Sequence, residues 1–582
     1  VAVRRRSVII SAVAAAIVAV GGYTVWQTYQ VQQDLGDAEG AVSDLRRALS
    51  DDDAPARDRA IAALQDAASS AEDRTDGAWW GVMTHVPLVG DDADGVRVLS
   101  RTLSSVATDA IAPIASTVDS LDGIYQGGRI DLAGVESMQE PVARASKALT
   151  AAATEVEAVD SSGFVGVLDR RFDDYADQLG RAAVSLRSAD TAVRVLPRMV
   201  GAEGPRDYLL LFQNNAEIRA TGGMPGAWAL IHAEDGRIDM ARQGVALDFP
   251  TADTPVVPLT PEEIEVYGKE IGVFFQNPGF APDFPRAARI WDAHWDNRFP
   301  DVDLDGVLAL DPVGMSYLLE GTGPVTVDGR ALTSENLVGE LLSRPYLELE
   351  PEEQDAFFGG AARAIFDAAA TDVPSPVSLV DGFERAAREG RFLVASFDEE
   401  DQALLADSRV LGELNGDDQQ TPHVDVGLND ATGSKMSYYL RYRVAVESRS
   451  CNDDRQQLAA KMTLNQVITA ADAAQLPVSV TGGGIRGVDA GSQVVPIRIY
   501  GPAGGSIGKI TLNGRKVEPF EQDVRVKDRQ VVTVVTELST LDDAVLNWTM
   551  ESGPGQVGDG ELGVTPSVVP GTSSGSYESS CP

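Results

Sequence analysis

The polar side chains best placed for chemistry lie between Gln213 and Gly226, in the stretch QNNAEIRATGGMPG. Asn214 and Asn215 bring amides, Glu217 an acid, Arg219 a guanidinium and Thr221 a hydroxyl, and Gly222 and Gly223 follow directly. Tyr208–Phe212 before the stretch and Gly226–Ile231 after it read as strands, the second closing on a turn at Glu234-Asp235-Gly236. A polar, glycine-rich connection at a strand end puts adaptable backbone and hydrogen-bonding groups where α/β sheets bind ligands. The alternative is purely architectural: the asparagines and glycines build a tight turn that Glu217 and Arg219 stiffen.

Other motifs are weaker. Asp301-Val-Asp303-Leu-Asp305-Gly306 matches the first half of a calcium loop, but Pro312 stands where the twelfth-position glutamate belongs, so the stretch reads as entry to a strand at Gly306–Leu310. Gly482–Gly487 fits GxGxxG among strands with no helix to follow, and reads as a turn. Gly571–Gly575 fits a nucleophile elbow, but no histidine lies C-terminal to it. Asn547-Trp-Thr fits a glycosylation sequon inside an apparent strand. His85, His232, His294 and His423 lack ligand spacing, so no zinc is expected, and no motif calls for haem or a nucleotide. Cys451 and Cys581 stand alone; on an oxidising side of a membrane they pair as one disulfide or remain two thiols, and the disulfide is the expectation because it would tie the Gly/Ser/Pro-rich end to the last domain.

Ser7–Trp26 sets that location. It is a run of twenty residues without charge, the length that crosses a hydrocarbon core of ~30 Å, preceded by Arg4-Arg5-Arg6 and followed by Asp34 and Asp37. The expectation is an uncleaved single-pass anchor in a plasma membrane, with residues 1–6 cytoplasmic and the rest of the chain outside. Across 582 residues, 48 basic against 88 acidic side chains leave a net charge of −40, which argues against nucleic-acid binding.

The elements that must position these residues follow from periodicity. Residues 30–200 are Ala-rich with helical spacing, as in Ala56, Ala60, Ala63, Leu64 and Ala67, and read as an all-α stalk or bundle broken near Asp51–Asp53, Pro87–Asp94, Gly123–Asp131 and Ser161–Gly163. Within it, Trp79-Trp80 ahead of His85-Val86-Pro87 reads as core packing, with a return to the membrane interface as the other reading. Residues 205–425 read as a central α/β domain with a mixed sheet, with helices at Pro285–Trp295, Asp311–Leu319, Thr333–Leu342 and Glu352–Ala370. Residues 430–552 alternate through about seven short strands, including Leu458–Val467 and Leu476–Val480, as a β-sandwich-like domain does; residues 553–582 read as a loose, low-complexity tail.

LLLFQNNAEIRATGG, GAWALIHAEDGRI, LDGVLALDPVGMSYLLEGTGPV and NDATGSKMSYYL resemble the signature stretches of the actinobacterial domain-of-unknown-function 4012 (DUF4012) family, a resemblance that implies no activity. More distantly, the order of anchor, strand with acid and arginine, second arginine, and later strand-helix closing on Gly323-Pro324-Val325 is similar to the LytR-CpsA-Psr envelope glycopolymer transferases. That resemblance implies a polyprenyl-pyrophosphate glycan clamped by Arg219 and Arg242, whose guanidinium groups suit phosphate, with Mg²⁺ held by Glu217 beside Asn215. It also implies substrate contacts from Asn214, Asn215, Thr221, Gly222 and Gly223. The chain departs from the transferase pattern at Thr221–Met224, where an aspartate is missing, and at Ala241-Arg242-Gln243. Two functions therefore stand side by side: a phosphotransferase on lipid-linked glycopolymer, and a non-catalytic envelope scaffold binding polysaccharide or partner proteins.

Overall fold

The computed structural model describes residues 27–581 apart from 50, 52, 88, 122, 127, 372, 407, 417–419, 485–486 and 521–522. The expected anchor Ser7–Trp26 lies outside these residues, and among them no helix is long and apolar enough to cross a membrane. The chain forms two compact units, one of residues up to Ile124 with Ala133–Arg194, the other of Tyr125–Leu132 with Val195 onward.

The first unit is helical: residues 27–49, Ala54–Thr75, Ala78–Met83, Gly90–Ser105, Ala112–Leu121, Leu132–Glu157 and Gly166 onward. Helix Ala54–Thr75 starts where the Asp53 carboxylate accepts from Ala56 N and Pro55 presets the first turn. It buries Ala60, Leu64, Ala68 and Ala71, so the face is rotated from the one expected, and Ala63 is exposed. A helix so rich in alanine has little apolar contrast between its faces, and its neighbours choose the face. A π-helical turn, Val106–Ile111, precedes Pro113, whose missing N–H is absorbed by such an irregularity.

The second unit begins with a seven-stranded mixed sheet. Its strands are β1 (Tyr125–Gln126), β2 (Arg129–Ile130), β3 (Arg206–Arg219), β4 (Gly222–Glu234), β5 (Arg237–Val245), β6 (Gly306–Leu310) and, after a separate hairpin of β7 (Val325–Val327) and β8 (Arg330–Leu332), β9 (Phe392–Ser396). The order is β1-β2-β5-β4-β3-β6-β9, with β3 parallel to β6. The β1–β2 hairpin comes from sequence expected to be a helical break; Arg129 pairs with Arg237 of β5 at the sheet edge. Helices cover both faces: Met315, Leu318, Phe357 and Ala361 pack on one side, and Phe284, Trp291 and Trp295 with Trp228 on the other.

The remainder is all-β. One sheet of six strands is ordered β16 (Arg525–Val526), β17 (Arg529–Leu538), β13 (Gln493–Ala503), β10 (His423–Leu428), β19 (Gly560–Val564), β20 (Ser574–Tyr577). The other has five, β11 (Leu440–Asn452), β12 (Arg455–Gln466), β18 (Asp543–Glu551), β14 (Ser506–Leu512) and β15 (Arg515–Lys516). Strict alternation in β12 buries Leu458, Ala460, Met462 and Leu464, which share one core with Val424 and Val426 of β10 and Val495, Ile497 and Ile499 of β13.

Three expectations need correction. Leu476–Val480 is no strand, since Ala470–Ala473 and Val478–Thr481 are short helical turns. The boundary placed between 425 and 430 falls inside β10, whose Val424, Val426 and Leu428 belong to the β core. Residues 553–581 are not loose. Leu562 and Val564 enter the core, β19 runs parallel to β10, and β20 pairs back on it. Some of the glycines that gave the tail its low-complexity look are sites of close approach: a Cβ on Gly560 would overlap the Tyr577 ring, and one on Gly563 would overlap the Asp425 carboxylate.

Cys451 and Cys581 form a disulfide across a sequence separation of 130, joining the far end of β11 to the chain that follows β20. A loop of that size restricts the unfolded chain strongly, and removing the bond with Cys451→Ser and Cys581→Ser together is expected to destabilise the second unit by about 2 to 4 kcal/mol. Urea unfolding of wild type and variant checks this; coincident curves would mean that β19 and β20 hold the tail unaided.

Candidate functional site

The polar stretch is strand, not loop. β3 continues past the edge of β6, and its ladder with β4 carries on through Gln213–Pro225, Asn214–Met224, Ile218–Gly223 and Arg219–Gly222, with Ala220 and Thr221 as the turn. Asn215, Ala216 and Glu217 form the bulge between Asn214 and Ile218. Glycine at 223 is required because a Cβ there would overlap the Asn214 carbonyl carbon, and Gly222 sits at φ +131° against Gln213.

This hairpin tip enters the β region. Ile218 joins its core, Asp430 N donates to Ile218 O (2.9 Å), Ala220 N to Asn429 Oδ1 (3.2 Å), and Ile218 N to Ser437 Oγ (3.3 Å). The partner is the segment NDATGSKMSYYL, so two separate signature stretches of the sequence meet as one joint.

Four charged side chains sit inside it. Glu217 is 7 % and Arg219 5 % exposed. Lys435 Nζ donates to Glu217 Oε2 (2.7 Å) and Arg219 Nη2 to Glu217 Oε1 (3.1 Å), so both carboxylate oxygens are engaged. Burial alone would raise the Glu217 carboxyl; Lys435 and Arg219 outweigh it and hold the pKa below the ordinary 4.5. Burial would likewise depress Lys435, but Glu217 and Tyr346 raise it. Arg219 also donates to Ile218 O (3.0 Å) and lies over the Phe280 ring (4.8 Å). Asp430 accepts from Gly433 N (2.6 Å), Ser434 N (3.1 Å), Gln493 Nε2 (3.0 Å) and the Thr432 hydroxyl. Both cations thus pair with Glu217, while the Asp430 carboxylate is held by neutral donors and acts on Lys435 only through its charge.

A second buried cluster adjoins it through Asn215, whose Nδ2 donates to Asp311 Oδ2 (2.8 Å). Asp311 caps the helix Pro312–Thr322, accepting from Gly314 N (2.7 Å), and pairs with Arg391 Nη1 (2.8 Å); both side chains are 0 % exposed. Arg391 also donates to Glu389 Oε2 (2.6 Å), Ser567 O (2.9 Å) and Val569 O (3.0 Å). The last two acceptors belong to the tail, which therefore straps the β region to the start of β9.

The nominated site residues divide accordingly. Asn214, whose Nδ2 donates to Tyr346 Oη (2.6 Å), Asn215, Glu217, Arg219, Thr221, Gly222 and Gly223 all lie in the joint, with Thr221 Oγ1 accepting from Gln213 Nε2 (3.1 Å). Arg242 does not. It is exposed on β5 over the Phe299 ring (4.6 Å), opposite Leu230, which pairs with Leu209. Arg219 is a further stretch of strand along β3 from Leu209, roughly 30 Å at about 3.3 Å per residue. The two arginines cannot clamp one pyrophosphate in this arrangement. Nor do Glu217 and Asn215 fit Mg²⁺: the acid already serves two cations, and the amide is turned to Asp311. Among the described residues no group of three or more His, Cys, Asp or Glu could hold a metal ion. The crevice beside Lys435, between Leu342, Tyr438 and Val480, has no room for a water. A cleft of about 500 Å³ lies elsewhere, lined by Thr260, Arg286, Arg289, Phe397 and Lys527.

Lys435, Asp430, Asp311 and Arg391 are missed by motif reading. The one available signal is Arg391 itself, a charge set directly against an apolar run, Phe392–Ala395, that must be buried.

Residues 203–346 match the model of a family described as a protein of unknown function, DUF4012, so the family expectation holds over that stretch. It includes Glu217, Arg219 and Asp311 and stops short of Arg391 and Lys435. No curated protein matches. Among solved structures, a candidate nutrient-binding protein of Legionella pneumophila is similar at 6 % identity, over 25 % of this chain and 54 % of that one, with a TM-score of 0.15. The match thus spans about half of that protein's length.

Proposed function

We propose that this chain is an extracytoplasmic scaffold of the cell envelope, held at the plasma membrane by Ser7–Trp26, whose body binds envelope polysaccharide or a partner protein without turning it over. The observation that carries the reading is the joint: Glu217 and Arg219, the residues a glycopolymer transferase needs open to substrate, are buried and engaged by Lys435, Asp430 and backbone. The cleft of about 500 Å³, with Arg289 stacked on Phe397 (4.2 Å), gives binding a place of a size suited to a sugar unit.

Arg242 separates the two functions, because it is exposed and outside the joint, and Arg242→Ala leaves the fold intact. Full chain in vesicles carrying a polyprenyl-pyrophosphate glycan, an isolated envelope polymer as acceptor and Mg²⁺ is expected to release no polyprenyl phosphate, while retention on isolated envelope polymer persists in EDTA and in Arg242→Ala. Mg²⁺-dependent release abolished by Arg242→Ala would overturn the scaffold reading in favour of the phosphotransferase. Absence of retention by the wild type would overturn polymer binding.

A further inference from the structure

Three connections of the helical unit meet at one of its ends. Val31, among the first described residues, packs with Trp80 and Ala93, and with Leu35, Met83 and Val96 around them. Arg74 pairs with Asp34 (2.6 Å), bringing the end of helix Ala54–Thr75 to the same level, and Trp80 Nε1 donates to Ala93 O (2.8 Å). Val165 N donates to Asp92 Oδ1 (2.9 Å), and Phe164 fills the space over Gly95, so the turn before Gly166 lies there too.

This end is apolar on its outside. Tyr29, Val82, Val86, Val89, Val165 and Val167 are 37 to 64 % exposed, and Pro87 is exposed beside them. Leu49 and Val184 are the other large apolar side chains exposed among the described residues of this unit, so the exposure is concentrated and not scattered. Residue 27, the first described residue, lies at this end and directly follows Trp26, the last residue of the uncharged run Ser7–Trp26.

We propose that this end of the helical unit is a bilayer seat, in which Val82, Val86, Val89, Val165 and Val167 enter the interfacial layer of the membrane that anchors the chain. The inference rests on the anchor reading and adds a second, peripheral contact to it. Trp80 is core, as expected from the sequence, and the turn that follows it supplies the contact. Asp91 and Asp94 are exposed beside the valines, so the seat works by apolar insertion and not by attraction to anionic headgroups.

Since both native cysteines are bonded, an introduced cysteine is the sole free thiol for a fluorophore. Full chain carrying Val86→Cys or Val165→Cys, reconstituted in phosphatidylcholine vesicles, is expected to be quenched by shallow lipid nitroxides several-fold more than Leu49→Cys. Leu49 stands about 30 Å along the same helix from residue 29. The quenching should withstand 0.5 M salt. Quenching of an Ala15→Cys reference with none above the Leu49 level at Val86 and Val165 would leave the anchor standing and overturn the seat. An Ala15→Cys reference left unquenched by nitroxides placed deep in the acyl chains would overturn both. Protection of Val86 in lipid-free detergent that grows with protein concentration would make the patch a contact between copies, and also overturn the seat.

Discussion

Arg391→Met is expected to destabilise the second unit by about 3 to 5 kcal/mol, the usual cost of stripping one partner from a buried ion pair. The substitution leaves Asp311, 0 % exposed, with a charge answered by Asn215 and Gly314 N alone, leaves the Ser567 carbonyl without its donor, and leaves the Val569 carbonyl to the hydroxyls of Ser567 and Thr572. Those carbonyls anchor the tail, so limited proteolysis should open near residues 565–573 before the rest unfolds. Adding Asp311→Asn keeps a helix cap while removing the uncompensated charge, and should recover part of the loss. Unfolding of Arg391→Met within about 1 kcal/mol of wild type would mean that the strap is held by β19 alone.

Glu217→Gln is expected to cost a similar amount, about 3 to 5 kcal/mol, because Arg219 and Lys435 then share a buried site with Asp430 as their remaining carboxylate. The effect has a definite pH dependence. Glu217 titrates below its ordinary 4.5 in the folded protein, so its contribution is fully present above that value and is lost as pH falls through the lower, folded value. The gap between wild type and Glu217→Gln should therefore close on acidification below pH 4.5. Asp292, which burial and Asp296 push up to about 6, acts with the opposite sign and favours the folded state as pH falls through that value. The difference between the two proteins cancels that contribution; the wild-type curve alone does not. If Glu217→Gln were as stable as wild type at neutral pH, the carboxylate would be available for other work.

Where periodicity carries the signal, sequence and structure agree closely. β6 has the expected bounds Gly306–Leu310, helix Pro351–Thr371 matches the run read as Glu352–Ala370, and β12 follows its alternation. The expected all-β C-terminal region and the Cys451–Cys581 disulfide are both present. The disagreements fall where composition stands in for conformation. Asn214, Asn215, Gly222 and Gly223 have the makeup of a loop, yet a hairpin tip inserted into another core keeps them in a ladder, and the glycines are there for close approach. Gly560 and Gly563 mislead in the same way. The partner of Glu217 lies 218 residues along the chain, a pairing with no local period to betray it. Glu217 and Arg219 stand out in sequence because they are polar in an apolar setting. That signature is shared by catalytic residues and by buried joints, and the distant Lys435 that pairs with Glu217 is invisible to both readings.

A double-mutant cycle on Glu217 and Lys435 tests the joint most directly. Wild type, Glu217→Gln, Lys435→Met and the double variant are unfolded in urea at neutral pH, with and without Mg²⁺. A coupling of about 2 to 3 kcal/mol, the same in either buffer, is the predicted result. Coupling under about 0.5 kcal/mol, or a wild type that Mg²⁺ stabilises only while Glu217 is present, would contradict it and return Glu217 to the chemistry of a transferase.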